Sequence, residues 1–283
     1  MLSLHTNNAA LSAQNSITRT QSSLSTSMTR LSTGYRINSA MDDAAGLQIA
    51  SRLKSQTSGM AVAMRNTQNS TSMLQTAEGA LDEVGNMLVR MKDLATQAAD
   101  ASSTAADKTA MQQEFDALGL ELKNVLNNTT FGGTKLLVSG TVASAMTFQI
   151  GASSSETMSV NLSADMASMV TDVGNATSNY TTTATGVELT GSANATIGKL
   201  ETALNTVNKV RSGLGAAANR LEHVYNNLSN ISTNSKAAAG LIMDVDFATE
   251  SANMTSSQML LQAGTAMLKQ SNSMSSMVMS LLQ

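Results

Sequence analysis

Hydrophobic residues recur at helical spacing along most of the chain, and one stretch keeps that spacing over eight turns or more. From about Asp42 to Ala99 two apolar series fall at multiples of seven residues, which is the repeat of a coiled coil. At ~1.5 Å per residue, a helix over this range is on the order of 85 Å long. The pattern therefore predicts a mainly α, rod-shaped molecule. The two series are Leu53, Met60, Leu74, Leu81 and Leu88, and Ala77, Val84, Met91 and Ala98.

Two further helices follow the same rule. A third helix is predicted from the four-three spacing after Ala106, and it ends at Asn127, Asn128 and the Gly132-Gly133 pair. A return helix begins near Ser192 and keeps the seven-residue phase up to Gly240, which is expected to break it. This helix can pair in the antiparallel direction with the two before it. Its apolar positions are Leu200, Leu204, Val207, Leu214, Ala218, Leu221, Tyr225 and Leu228.

Between the third and the return helix the period changes. Leu136 to Val138, Thr147 to Ile150 and Met158 to Leu162 are predicted as short strands, and the last two form a hairpin. Residues 164–192 are rich in Ser, Thr, Asn and Gly and have weak periodicity. They are interpreted as a small surface region rather than a second domain.

The two ends of the chain carry amphipathic helices that are almost free of charge. The first has no charged residue before Arg19, and from Ser251 to Gln283 only Lys269 is charged. A helix of this kind needs a partner for its apolar face, and each stripe exceeds what one partner helix can cover. We therefore predict a self-assembly role for Leu4, Leu11, Ile17, Leu24 and Leu31 at one end, and for Leu260, Met267, Met274, Val278 and Leu281 at the other.

A joint separates each terminal helix from the long helix beside it. Gly34 is expected to end the first helix in a left-handed conformation. Asp42 and Asp43 then begin the second, with Ser39 and Asp42 as a near capping box. Asp244 and Asp246 repeat the arrangement before the last helix.

Composition excludes several classes of function. The chain has 283 residues with 2% aromatics, 20 Met and no Trp, Pro or Cys, so its core must be aliphatic and has no disulfide framework. A net charge of −3 provides no excess of basic residues that would indicate binding to nucleic acid or an anionic membrane. No segment approaches the roughly 20 apolar residues that a membrane span needs. The N-terminus also lacks the basic and apolar regions of a secretory signal peptide.

No motif predicts catalysis or a cofactor. His5 and His223 are far apart and belong to no zinc-binding pattern. The run Gly213 to Ala218 matches a dinucleotide fingerprint by letters, but it lies inside a helical repeat with no strand before it. Asp244 and Asp246 resemble the start of a calcium loop, yet Ala248 stands where the next ligand belongs. Helix packing and capping explain these residues, so we expect neither an enzyme nor a metal site.

The joint and the C-terminal helix also carry a family resemblance. LSTGYRINSAMDDAAGLQIASRL (Leu31 to Leu53) resembles the N-terminal signature of bacterial flagellins, and DFATESANMTSSQMLLQAGT (Asp246 to Thr265) resembles their C-terminal one. GALDEVGNMLVRMKDLATQAAD and NRLEHVYNNLSN are similar as well. The resemblance implies a subunit of a helical flagellar filament, outside the cell and exported by the flagellar type III route without a cleaved signal. It implies an inner filament core (1–43 and 240–283), a helical rod (44–134 and 192–239) and a short outer region (135–191).

The resemblance also implies partners and leaves one alternative open. The partners are further copies of the chain, an export chaperone, the filament cap and the hook-junction proteins. The alternative is the hook-filament junction protein itself, which has similar termini but caps a few positions instead of polymerising. Seeded assembly distinguishes the two.

A further implied partner is the flagellin-sensing Toll-like receptor of hosts. The matching residues are Arg90, Leu94 and Glu114, and the spacing of Arg90 and Leu94 predicts that both lie on one exposed helical face. Val89 and Asp93 depart from the usual pattern of polar Gln and longer Glu. The alternative is that Arg90 and Glu114 form an ordinary solvated pair between neighbouring helices.

Overall fold

A computed structural model describes residues 7–181 and 185–280, with side chains through Met274. The described residues form six α-helices, two small antiparallel strand pairs and one 3₁₀ turn, which confirms a mainly α fold with a small β-hairpin. The helices are α1 Asn8–Thr33, α2 Ala44–Ala99, α3 Ala105–Asn128, α4 Ser163–Ala176, α5 Glu188–Met243 and α6 Phe247–Ser280; the strands are β1 Thr130–Phe131, β2 Thr134–Lys135, β3 Ala145–Gln149 and β4 Thr157–Asn161; the turn is Ser178–Tyr180.

The chain divides into two compact units. Unit 1 comprises Met1–Gln56 and Thr233–Gln283, and unit 2 comprises Thr57–Ser232. Unit 1 contains α1 and α6, and unit 2 contains α3, α4 and all four strands. Helices α2 and α5 contribute residues to both. The threefold division of the sequence analysis stays a prediction.

The core of unit 2 is built from the seven-residue repeats. Leu81 and Leu88 of α2 and Val207 of α5 are fully buried, as is Phe115 of α3. A third series of α2, which includes Met87 and ends at Leu94, packs beside the two predicted from the sequence. This wider apolar face suits a helix that packs against more than one neighbour.

Ion pairs at the edge of this core show that α2 and α5 are antiparallel. Nη2 of Arg211 lies 2.8 Å from Oε1 of Glu78 and 2.8 Å from Oδ1 of Asp82. Further along α2, Nζ of Lys92 lies 4.0 Å from Oε1 of Glu201. The later residue of α2 therefore pairs with the earlier residue of α5, as the sequence predicted.

The region after the third helix corrects two predictions. Residues 164–192 contain a full helix, α4, whose buried residues Met166, Met169 and Val173 follow helical spacing in a polar background. Leu136 to Val138 is not a strand. Leu136 and Leu137 are both fully buried, which a strand with one solvated face cannot achieve, and the backbone turns so that Val142 N donates to Leu136 O over 2.8 Å.

The bounds of the return helix also differ from the prediction. α5 starts at Glu188 and is kinked at Ser192, where φ is −152° and ψ is 53°. Gly240 does not end it, and the helix continues to Met243. An isolated glycine inside a helix costs only about 1 kcal/mol, which the neighbouring helical turns can offset.

A buried polar cluster fixes the beginning of α5 on α3. Nε2 of Gln112 donates to Oδ1 of Asp116 over 2.7 Å and to Oε2 of Glu188 over 2.9 Å, while its Oε1 accepts from Leu189 N over 2.7 Å. Burial raises the pKa of Glu188, but hydrogen bonds from Ser178 and Gln112 outweigh it and the pKa is lowered. The carboxylate is therefore charged at neutral pH and accepts both bonds.

Two adjacent residues of α2 test the importance of the buried repeat. Leu88 is fully buried, whereas its neighbour Val89 is 48% exposed. We expect Leu88→Ala to lower the free energy of unfolding by about 2 to 5 kcal/mol, because it leaves a cavity in the core. Val89→Ala is the matched control and should change it by less than about 0.5 kcal/mol. Urea unfolding measures both, and equal losses would contradict this assignment of the core.

Candidate functional site

The terminal helices α1 and α6 pack against each other along one seam in unit 1. They are antiparallel, because Nδ2 of Asn7 donates to Ser271 O over 3.2 Å while Nη1 of Arg30 lies 3.7 Å from Oε2 of Glu250. The inner seam, as we call it, consists of the less exposed residues that recur every three or four positions. They are Ile17, Thr20, Leu24, Ser27 and Leu31 on α1, and Met254, Ser257, Leu261, Gly264, Leu268 and Ser271 on α6.

The helices approach closely along this seam. A Cβ placed on Gly264 would lie 2.9 Å from Cγ1 of Ile17, so glycine provides the space for that side chain. Ser27 is buried at the same interface, where a larger residue is common in other coiled coils. The seam is therefore narrow, and small residues make up much of it.

The joint holds the C-terminal end of α1 beside the N-terminal end of α6 through main-chain hydrogen bonds. Gly34 ends α1 with φ of 77°, as predicted from its position. Val245 N donates to Gly34 O over 3.0 Å, and Arg36 N donates to Met243 O over 2.6 Å. Nη2 of Arg36 also donates to Ile242 O over 2.9 Å. The joint is thus a short antiparallel bridge between the two chain segments.

Aspartates at the joint satisfy the free N–H groups at its turns. Asp43, rather than the predicted pair of Ser39 and Asp42, caps α2, since its Oδ1 accepts from Gly46 N over 2.9 Å. Asp42 instead accepts from the N–H groups of Ser39 and Asn38, and these bonds lower its pKa. Both aspartates therefore act structurally, by accepting hydrogen bonds from the main chain.

A second apolar stripe of α6 lies beside the inner seam and is exposed. Leu260, Met267 and Met274 are 59%, 68% and 57% exposed, and Met259 is similarly exposed. We call these four residues the outer stripe. On α1, Leu11 and Met28 are also more than half exposed. α6 therefore has two apolar faces, and among residues 7–181 and 185–280 only one of them is covered.

The predicted assembly residues thus fall into two groups. Ile17, Leu24 and Leu31 lie in the inner seam, whereas Leu11 and the α6 residues Leu260, Met267 and Met274 lie outside it. Leu4, Leu281 and the side chain of Val278 lie outside the described residues. The sequence analysis missed Leu261 and Leu268 as seam residues. The signal was present, because each directly follows an apolar residue of the outer stripe and repeats at the same spacing of seven.

The residues predicted to contact the receptor lie in unit 2, and they differ in their exposure to solvent. Arg90 and Glu114 form an exposed ion pair between α2 and α3, with Nη2 2.6 Å from Oε1 and Nε donating to the same oxygen over 2.8 Å. Leu94 contradicts the prediction of an exposed face, because it is only 3% exposed and belongs to the core. Residues four apart lie on one side of a helix. Leu94, however, also belongs to the third apolar series of α2, which packs into the core.

The side chains of the described residues form no further site. No group of three or more His, Asp or Glu side chains in this part of the chain could hold a metal ion. Within the same ranges no helix is long and apolar enough to cross a membrane. His5 lies outside the described residues.

Comparisons with known proteins match the two ends of the chain to one family. Residues 4–143 match the bacterial flagellin N-terminal helical region, and residues 197–282 match the bacterial flagellin C-terminal helical region. Flagellin A of Vibrio anguillarum is 34% identical over 380 aligned positions that span 100% of each chain. The flagellin of Halalkalibacterium halodurans is 38% identical over 259 positions, with 90% of each chain covered. The crystal structure of Bacillus cereus flagellin has a TM-score of 0.47 and 30% identity, and the match covers 62% of this chain and 94% of that one.

Proposed function

The chain belongs to the bacterial flagellin family and is a structural subunit of the flagellar filament, and on that premise we propose that the outer stripe is its principal self-assembly surface. Leu11 and Met28 of α1 are exposed apolar residues that we propose as the contact for the outer stripe of another copy. In the sequence, Leu4 stands seven residues before Leu11 and Leu281 seven residues after Met274, whereas Val278 stands seven residues after Ser271. Ile17, Leu24 and Leu31 contribute indirectly, since they hold α1 on α6.

The observation that carries the proposal is the exposure of the outer stripe. Four large apolar side chains lie more than half exposed within sixteen residues of one helix, although the neighbouring face of that helix is packed. The only charged residue from Ser251 onward is Lys269, so no ring of charges keeps the surface apart from a partner. An apolar surface of this kind marks a protein interaction site.

Repetition of one contact accounts for the filament. The outer stripe belongs to α6 and differs from the α1 surface that carries Leu11 and Met28, so a contact between the two surfaces joins unlike patches of identical chains. Such a heterologous contact that does not close generates a helical assembly. Burial of the stripe also removes four flexible apolar side chains from water, at roughly 1.5 to 3 kcal/mol for each that is fully covered.

The family supports a proposal for the remaining partners. We propose that the subunit is exported by the flagellar type III route and meets an export chaperone, the hook-junction proteins and the filament cap before it is incorporated. Its role is structural, with neither catalysis nor a cofactor. Growth from filament seeds tests the subunit role, because a junction protein would adsorb to hook ends without elongation.

Recognition by the flagellin-sensing Toll-like receptor is proposed for the surface around Arg90 and Glu114. Both side chains are about half exposed and preorganised by their mutual bond, so they present a charged fork at fixed geometry. Exposed Val89 and Asp93 flank Arg90. Leu94 supports this surface from below instead of contacting the receptor.

Substitution of the outer stripe tests the assembly proposal. Leu260→Gln combined with Met267→Gln should raise the monomer concentration that remains at equilibrium with seeded filaments by at least about tenfold, because two apolar contacts are lost. Leu120→Gln in unit 2 is the control, since Leu120 is also exposed but lies outside the stripe. Sedimentation and electron microscopy measure the effect. Growth of the double variant at the parent concentration would rule out the stripe.

Receptor activation by the monomer tests the recognition proposal. Arg90→Ala and Glu114→Ala should each lower activation by about tenfold or more, as expected for a hot spot. Neither should change the free energy of unfolding by more than about 1 kcal/mol, because an exposed ion pair contributes little to stability. Lys209→Ala removes a comparably exposed pair with Asp165 and is the control. A silent parent, or variants as active as the parent, would refute the assignment.

A further inference from the structure

We propose that Arg30 and Glu250 determine the register of α1 against α6, and thereby where the outer stripe lies on the subunit. The proposal rests on the proposed assembly surface, because register matters only if the stripe must meet another copy. It concerns positioning residues, which act through the helices they align.

The apolar residues of the inner seam do not choose a register by themselves. Ile17, Leu24 and Leu31 are separated by seven residues, and so are Met254, Leu261 and Leu268. The small residues opposite them also repeat by seven, as Ser257, Gly264 and Ser271 do on α6. Two such repeats can slide past each other by one heptad and still place large side chains against small ones.

Counting from the observed contact shows this degeneracy. With Ile17 opposite Gly264, antiparallel counting places Leu24 opposite Ser257 and Thr20 opposite Leu261. A slip of seven residues moves Ile17 to Ser257 or to Ser271, and both are again small. The slip would nevertheless displace the outer stripe by about 10 Å along α1, since each residue rises ~1.5 Å.

The pair of Arg30 and Glu250 is not repeated and so removes the degeneracy. The Glu250 side chain is 10% exposed, and its Oε2 lies 3.7 Å from Nη1 of Arg30. A one-heptad slip would place Arg30 across from Ser257 or Met243, so the buried carboxylate would lose its cation. Loss of one member of a buried pair is strongly unfavourable, and a single buried polar residue is known to fix register in coiled coils.

The surroundings of the pair also suit a polar contact. Arg30 and Glu250 line a cleft of 410 Å³ between α1 and α6 together with the hydroxyl groups of Ser27 and Ser257. Nε of Arg30 is buried and makes no hydrogen bond in the structure. The seam thus gives up apolar packing around this pair, which is the exchange of stability for specificity expected of a register device.

Two other contacts agree with the same register. Asn7 bonds Ser271 at the far end of the helices, and the joint bridges Tyr35 and Asp244 at the near end. The joint bonds mostly involve the main chain outside the helices. Arg30 is four residues before Gly34. The ion pair therefore extends the alignment set by the joint into the helices of the inner seam.

Charge reversal tests the proposal in the full-length chain. Arg30→Glu and Glu250→Arg should each raise the monomer concentration at equilibrium with filaments by at least tenfold, and their combination should recover at least half of that change on a logarithmic scale. Asp165→Lys, which breaks the exposed pair with Lys209, is the control and should assemble as the parent does. An unrescued combination, or an equal defect in the control, would overturn the proposal.

Disulfide formation reads the register directly, because the chain has no cysteine of its own. In filaments of the parent background, Ile17→Cys with Gly264→Cys should cross-link within one chain, whereas Ile17→Cys with Ser257→Cys or with Ser271→Cys should not. Any charge-reversed single variant that still assembles should shift cross-linking toward the slipped pairs by fivefold or more. Assembly with the parent pattern would show that the joint alone sets the register. These outcomes are independent of the Leu260 and Met267 variants, which test the stripe itself.

Discussion

Burial of aliphatic side chains that repeat every seven residues is the interaction on which the rest of the structure depends. With 2% aromatics and no disulfide, unit 2 has few other sources of stability. Leu81 and Leu88 of α2 and Val207 and Leu214 of α5 are buried to 1% or less along the paired helices. Because the repeat is long and free of proline, α2 continues for 56 residues and α5 runs without a further break from its kink at Ser192 to Met243. The loops, the hairpin and the polar cluster at Gln112 cover the remaining edges of this core.

The same repeat produces a different result in unit 1. There the inner seam alternates large aliphatic residues with serine and glycine, so the pair of α1 and α6 buries less apolar surface than the helices of unit 2 do. The second stripe of α6 remains exposed. Because α1 and α6 leave apolar surface exposed, identical chains bury more of that surface when they associate. Polar contacts such as that of Arg30 with Glu250 give the association a defined geometry. The terminal helices are therefore less stabilised within a single chain, and the apolar surface they leave exposed serves assembly.

The features that depend on local periodicity or capping could be predicted from the sequence. The long helices, the hairpin of Met146 and Met158, and the left-handed Gly34 are of this kind. α4 was missed because it has few large apolar residues, Met166, Met169, Val170 and Val173, and their burial depends on a core that other elements supply. The face of Leu94 and the division of α6 into two stripes could not be assigned either, since adjacent apolar residues such as Leu260 and Leu261 satisfy the same spacing. Contacts with the partner helix decide which one turns inward.

The central claim is that the outer stripe is the surface through which one subunit covers another. Electron cryomicroscopy of filaments grown from this chain, at a resolution that shows side chains, measures the exposure of those residues in the assembly directly. We predict that Leu260, Met267 and Met274, which are 57% to 68% exposed in the single chain, become buried against another copy. A filament in which these side chains still face solvent, with the subunits joined through other surfaces, would contradict the account.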